Sequence, residues 1–402
     1  MRIFHPTSLV VLLLVILFPH SLLFANEHEL APEKNAFNYY RRAGDSLQNL
    51  QLMLKFYDSN VTKPDLNEKR ALVLENTQAL TILREGFAYP SRFPVIKSFD
   101  EPMPYLVKFR NLARLMKLEA EVKATDGDWP GANDICLDIV YLGKDIQQGA
   151  PIIGCMVSIA CQVIGRKPAW EYLHRLNPAQ SRQAIKRLQA IDADSAPFID
   201  VLAIERDAVL TTFRELRDNP ESFRQVIEEN SGDKLDVPVE IMETVGRQIT
   251  EGALAEYSAH MDKLIAMAQT PFHAWQPLPA PKNKLVEIFL IDFRKAGFRV
   301  LSNQTQNRLM LVSHALNAFK AEKGQYPKSL ASLCPEYLHE LPLDPFGKNQ
   351  PFRYRVTKTG YLLYSIGPDA RDNGGKAVMG KDKSHLVYDQ SKGDIVAGVN
   401  GY

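Results

Sequence analysis

The spacing of apolar residues changes once along this chain of 402 residues, and that change constrains the fold more than any other feature. Across residues 36–269 the apolar positions recur every three or four residues, which is typical of amphipathic helices. After Gly324 the period falls to two, because Phe352, Tyr354 and Val356 alternate with arginines as in a half-buried strand. The pattern predicts a mainly α fold, in which a helical-hairpin domain is followed by a small α+β domain.

A proline-rich stretch separates the two regions. Residues 270–284 contain Pro271, Pro277, Pro279 and Pro281. Proline lacks the backbone N–H that a helix needs, so this stretch favours extended backbone. We therefore predict a helical domain at residues 26–269, a linker at 270–284 and the α+β domain at 285–402.

The α+β domain is expected to consist of one long helix packed on an antiparallel hairpin. The helix is predicted over residues 285–323, and its apolar face comprises Leu309, Val312, Leu316 and Phe319. The hairpin strands are predicted at 352–356 and 361–366, joined by a turn at 358–360. Since the helix face and the first strand are both apolar and neither has another nearby cover, we expect them to pack together.

The first 25 residues have the layout of a secretory signal peptide. One cation, Arg2, precedes an apolar run from Leu9 to Phe18, which Pro19 then interrupts. The run is about half of the roughly 20 residues that a membrane-spanning helix needs. We expect cleavage after Ala25 and a periplasmic or extracellular location. An uncleaved anchor is the alternative, since Leu23 is larger than the small residue usual two positions before the cut.

The charges nearly cancel, with 48 lysines and arginines against 47 aspartates and glutamates. Such a chain lacks the long-range field that holds nucleic acid or an anionic membrane. We expect no nucleic-acid partner, and membrane contact only through an uncleaved signal segment. The cysteines have neither CxxC spacing nor a nearby histidine, which favours small buried side chains over a zinc site or a single bridge among the first three. They are Cys136, Cys155, Cys161 and Cys334.

One pair of predicted helices, over residues 112–142, has a more particular pattern. Small side chains at Ala120 and Ala132 allow two antiparallel helices to approach closely, and Gly127 with Asp128 suits the tight connection between them. This hairpin resembles one tetratricopeptide unit. Solenoid repeats need stacked neighbours, and no clear second copy follows at a period near 34. A helical hairpin in an irregular α domain is therefore the alternative.

Three sequence blocks stand out near the C-terminus, namely Gly324–Pro327, Leu341–Gly347 and Ser365–Ala370. In order and spacing they resemble the globular domain of the major pseudopilin of type II secretion systems, with Phe346 at the family's tryptophan and Ala370 at the family's last glycine. The helical body resembles, more loosely, helical regions of exported bacterial proteins that end in the same kind of domain. Residues 285–303 carry several charges, so the core helix of a filament is not implied.

The resemblance also implies a calcium site. Major pseudopilins bind calcium in the loop after the hairpin, and the matching loop here is Gly367–Gly375, with Asp369 and Asp372. Asp394 resembles the family's terminal aspartate, whose carboxylate also faces that ion, although the stretch between is longer here. The alternative is a polar, glycine-rich turn without an ion, because Asp, Asn and Gly are also what surface turns prefer.

The sequence contains no recognisable catalytic constellation. Four histidines have no acid or thiol at the spacing of metal ligands or of a catalytic triad. They are His174, His260, His273 and His314. We therefore expect an exported, non-enzymatic protein with a binding or scaffolding role at the cell envelope, whose partners are proteins. The alternative is a periplasmic enzyme whose acids are gathered by the fold. Glu205, Arg206 and Asp207, in an otherwise apolar stretch, are the first place to look for its active site.

Overall fold

The computed structural model describes residues 34–57, 64–96, 101–231, 238–347, 349–380 and 384–400. The predicted signal peptide, residues 1–25, lies outside them. Within the described part, the chain is mainly helical with a small three-stranded antiparallel sheet, which confirms the predicted mainly α class.

Helices α1 to α8 form the first half of the fold. Their bounds are α1 Ala36–Asp45, α2 Leu50–Lys55, α3 Leu66–Glu75, α4 Thr77–Gly86, α5 Tyr105–Thr125, α6 Trp129–Gln147, α7 Ile152–Tyr172 and α8 Pro178–Ala193. Several begin at polar caps that satisfy free N–H groups of the first turn. Asp128 caps α6 by accepting the N–H of Gly131 at 2.9 Å, and Asn177 forms a capping box with Gln180 at the start of α8.

The second half contains the remaining helices and the sheet. The helices are α9 Phe198–Asp218, α10 Pro220–Ser231, α11 Val239–Ala268, α12 Lys284–Phe289 and α13 Phe293–Lys323. The strands are β1 Arg353–Val356, β2 Tyr361–Ser365 and β3 Ile395–Val396, in the spatial order β1-β2-β3. Arg353 pairs with Tyr364, and Tyr364 pairs in turn with Val396. The two predicted strands are thus confirmed to within a residue, and the C-terminal tail supplies the third.

Helices α5 and α6 form the predicted hairpin. They pack against each other across the short connection Asp126–Asp128. Gly127 there has φ +84°, a left-handed conformation that glycine adopts without a Cβ penalty. Ala120 and Ala132 are both fully buried, as close packing of the two helices requires.

Helix α7 lies in the core. Among the described residues, one helical stretch, Ile152–Arg175, is long and apolar enough to cross a membrane. Of its most apolar window, 61% is buried inside the protein, and α5, α6 and α13 all pack against it. Its apolar composition is therefore accounted for by its position in the core. All four cysteines are free thiols; Cys136, Cys155 and Cys161 are buried, as expected.

The predicted long helix differs from the expected one in where it begins and in what it packs against. It is interrupted after Phe289, and α13 begins only after Asp292, which caps it through the N–H of Lys295. Leu309, Val312 and Leu316 of its apolar face are buried and Phe319 is half-buried. The principal neighbour of α13 is α8, and its contact with the sheet is made mainly through β2. Val356 of β1 is 49% exposed, so the expected packing of that residue on the helix is wrong.

Polar contacts also join α13 to the helical body. Arg308 pairs with Asp192 at 2.9 Å, and Glu322 accepts two hydrogen bonds from Arg182, each 2.8 Å long. Farther inside, the buried Arg166 guanidinium of α7 donates to the amide oxygens of Asn303 and Asn307 at 2.9 and 2.6 Å. The same helix therefore supports both the helical body and the sheet.

The proline-rich stretch is non-helical over residues 270–283 apart from one short turn, Phe272–Ala274, as its composition predicts, and α12 begins at its last residue, Lys284. It is nevertheless packed on the fold. Phe272 and Trp275 are buried, and the Trp275 ring stacks on Phe293 with centroids 4.7 Å apart. Burial of these aromatic rings fixes the start of α13.

Candidate functional site

The loop that follows β2 is held in a tight curve by glycines. Gly367, Gly374 and Gly375 all have positive φ, between +68° and +84°. A Cβ at Gly367 would collide with the carbonyl oxygen of Gly393. Glycine at 367 therefore allows the C-terminal tail to approach the loop closely.

Asp394 joins that tail to the loop. Its side chain is fully buried, and its carboxylate accepts the N–H groups of Gly375 at 2.7 Å and Asn373 at 3.2 Å. Its own N–H donates to the carbonyl of Lys376 at 2.9 Å, and its carbonyl accepts the N–H of Val378 at 3.0 Å. The structure thus brings Asp394 to the predicted loop despite the long intervening stretch.

Asp372 is the second predicted acid, and it is already well bonded. It accepts the N–H of Gly374 and the hydroxyl of Tyr364, both at 2.9 Å, and lies 3.3 Å from the Nε of Arg353. The Gly374 N–H lowers the pKa of Asp372, and Tyr364 and Arg353 lower it further. Asp369, the third acid, accepts the N–H of Arg371 at 3.2 Å.

The three carboxylates act on one another electrostatically. Burial raises the pKa of Asp394, its two backbone N–H partners lower it, and the charges of Asp372 and Asp369 raise it again. The loop therefore concentrates negative charge around a buried carboxylate. A cation near it would replace this repulsion with attraction.

The donor set is chemically suited to a hard cation, because it offers only oxygen atoms and calcium prefers oxygen ligands. Within the described ranges, however, no three His, Cys, Asp or Glu side chains converge closely enough to hold a metal ion on their own. Calcium takes about six to eight oxygens. A calcium ion at this loop would therefore need backbone carbonyls or water for much of its coordination.

The residues considered for an enzyme site do not converge. Glu205 is buried and accepts the N–H of Ile152 at 2.9 Å, so its carboxylate caps the first turn of α7. Burial raises its pKa, and that hydrogen bond lowers it. Arg206 pairs instead with Asp207 and Asp262, each at 3.1 Å, on the surface. Glu205 thus bonds to the main chain of α7, whereas Arg206 and Asp207 form ion pairs at the surface.

His314 occupies an unusual environment for an isolated histidine. Its ring is fully buried on α13, and neither ring nitrogen has a hydrogen-bond partner among the described residues. Burial lowers its pKa to about 3, so the imidazole is neutral at physiological pH.

A charged cluster between α1, α6 and the end of α8 was not predicted from the sequence. The buried ammonium of Lys144 lies 2.6 Å from Asp145 and 2.6 Å from Asp194. The hydroxyl of Tyr40, also buried, donates to the carboxylate of Asp145. The one signal in the sequence is the pair Lys144 and Asp145 inside the apolar run 139–146.

The cluster forms one wall of a cavity of about 340 Å³. The cavity opens between the segment after α4 and the C-terminal halves of α6 and α8. Besides the three charged residues, its lining comprises Phe87, Ala88, Tyr89, Pro90, Ser91, Tyr141 and Gln148.

Comparisons with protein-family models, curated proteins and solved structures returned no match for this chain.

Proposed function

We propose that this chain is an exported, non-enzymatic protein with a binding or scaffolding role at the cell envelope, whose pseudopilin-like C-terminal domain is stabilised by calcium. Its partners are proteins. The observation that supports the calcium component best is the buried carboxylate of Asp394, bonded to the loop beside two further acids. The layout of residues 1–25 supports export.

Asp369, Asp372 and Asp394 are the residues that would hold the ion. Bound calcium supplies positive charge to a loop that otherwise carries mutual carboxylate repulsion. The side chain of Asp394 ties the loop to the tail, and β3, which pairs with β2, begins at the next residue. An ion at this point would therefore stabilise the edge of the sheet together with the loop.

The test of the calcium component is the melting temperature of the full chain with millimolar calcium and with a chelator. The full chain is needed because α13 packs on both the helical body and the sheet. We expect calcium to raise the melting temperature by a few degrees, because it binds the folded loop and not the unfolded chain. Asp369→Ala and Asp394→Ala should remove most of that rise, and Asp372→Ala a comparable part.

Glu340→Ala is the matched control, since Glu340 is exposed, belongs to the same C-terminal region and lies outside the loop. It should leave the calcium response unchanged. Equal melting temperatures with calcium and with chelator would show that the loop is a glycine-rich turn without an ion.

Export is tested by the mass and N-terminal sequence of the protein recovered from cells. Cleavage after Ala25 gives a mature protein that begins at Asn26 and is released without detergent. A full-length protein that needs detergent for extraction would support the membrane-anchor alternative and contradict cleavage.

A further inference from the structure

The cavity beside Lys144 combines a small-molecule volume with a cluster of buried charged side chains. Its volume of about 340 Å³ is at the lower end of the range for ligand pockets, so it suits a small ligand. The charged wall is rigid, because Lys144 and Asp145 are almost fully buried. Both residues belong to α6, and the hydroxyl of Tyr40 on α1 donates to Asp145.

The charge of the cavity favours a cation. Two carboxylates, Asp145 and Asp194, face one ammonium, which leaves one negative charge in excess. Lys144 has little left to offer an anion: it contacts both carboxylates, and its nitrogen lies 4.3 Å from the centroid of the Tyr141 ring. Asp194, by contrast, has a side chain that is 67% exposed and accessible from outside.

The remaining walls favour an organic ligand over a metal ion. Phe87, Tyr89 and Tyr141 are among the residues that line the cavity, and aromatic side chains attract both apolar groups and organic cations. A metal ion would need several free oxygen ligands, whereas Asp145 is already bonded to Tyr40 and Lys144. The Ser91 hydroxyl is a further polar group of the cavity. Its oxygen is buried and has no hydrogen-bond partner in the described part of the chain.

We propose that this cavity binds a small organic amine, whose ammonium group pairs with Asp194 and whose apolar body lies against Phe87, Tyr89 and Tyr141. Lys144 is shared between the two carboxylates, and Asp145 is buried and also bonded by Tyr40, so the exposed Asp194 presents the excess negative charge to the ligand. This site is independent of the calcium loop and of the export proposal.

The experiment is isothermal titration calorimetry on the full chain with three probes of similar size. They are phenethylamine, its neutral counterpart 2-phenylethanol and its anionic counterpart phenylacetate. We expect heat of binding with the amine at millimolar concentration, and none with the alcohol or the acid under the same conditions. Absence of amine binding, or acid binding as strong as amine binding, would overturn the proposal.

Asp194→Asn identifies the residue responsible. It should weaken amine binding by at least about tenfold, because it removes the charge that pairs with the ligand. Asp207→Asn is the matched control, since Asp207 is 69% exposed and also forms an ion pair but lies outside the cavity. This variant should bind the amine with the affinity of the unmodified protein. Both sites are exposed, and circular dichroism melting verifies that both variants fold. An Asp194→Asn variant that binds the amine normally would refute the assignment.

Discussion

Buried carboxylates are held differently in the two regions of this molecule. In the helical body, Asp145 bonds to the side chains of Tyr40 and Lys144. In the sheet region, Asp344 accepts the backbone N–H groups of Phe346 and Ile366 at 3.0 and 3.1 Å, with the Ser365 hydroxyl at 2.7 Å. Burial raises the pKa of both Asp145 and Asp344, so desolvation opposes the charged form of each, and each is stabilised by different partners.

The difference follows from where free N–H groups exist. Inside a helix nearly every backbone N–H is already bonded, and only the first turn leaves some unused. A buried acid among helices must therefore find a side-chain donor, or reach a helix start as Glu205 does at α7. Turns leave many N–H groups unbonded, so the main chain supplies two of the three donors to Asp344 and both donors to Asp394.

Replacing each aspartate by asparagine would show whether side-chain and main-chain partners contribute differently to the free energy of unfolding. Asp145→Asn should lower the free energy of unfolding by about 3 kcal/mol, because it removes the negative charge beside the buried Lys144. Asp344→Asn should cost about 1 to 2 kcal/mol, since the amide oxygen still accepts backbone N–H bonds. Urea denaturation of both variants measures the two values.

The exposed Asp207→Asn serves as reference for this pair and should change stability by less than about 0.5 kcal/mol. Suppose that Asp344→Asn lowered the free energy of unfolding as much as Asp145→Asn. The hydrogen bonds from main-chain N–H groups would then need the full carboxylate charge as much as the ion pair with buried Lys144 does. The comparison between the two regions would then be wrong.

His314 sharpens the comparison, because it is a buried polar side chain with neither kind of partner in the part of the chain that the structure describes. His314→Leu should be neutral or slightly stabilising at pH 7, since no hydrogen bond is lost. The folded state lowers the histidine pKa from 6.5 to about 3. Below pH 6.5 the unfolded chain therefore binds a proton at this histidine that the folded protein does not, so the free energy of unfolding falls as the pH drops from 6.5 towards 3.

The variant should accordingly lose less stability than the unmodified protein between pH 6.5 and pH 4, as measured by melting temperature. His339→Leu, at an exposed position, is the control and should keep the original pH dependence. A clear loss of stability at pH 7 in His314→Leu would mean that the ring has a favourable interaction.

The sequence predicted the helices and strands of this fold better than it predicted which of them pack together. A period of three to four identifies a buried face, as for Leu309 and Leu316, but not the surface that covers it. Either α8 or the sheet would satisfy the same pattern, and α8 is the principal neighbour.

The same limit applies to the two candidate sites. Asp369 and Asp372 are close in sequence, so local spacing and a family resemblance were enough to propose their loop. Tyr40 and Asp145 are separated by 105 positions, and no local pattern relates them. A cluster gathered from distant helices becomes visible only when the packing is known.

The position of α13 also bears on the order in which the molecule can be completed. This helix of 31 residues spans about 46 Å and covers polar and apolar surface of α7 and α8. Those helices leave the ribosome well before it. The surfaces of α7 and α8 that α13 covers therefore stay exposed until residues 293–323 have been synthesised. A chain that stops before α13 would expose the Arg166 guanidinium, which Asn303 and Asn307 of that helix otherwise bond.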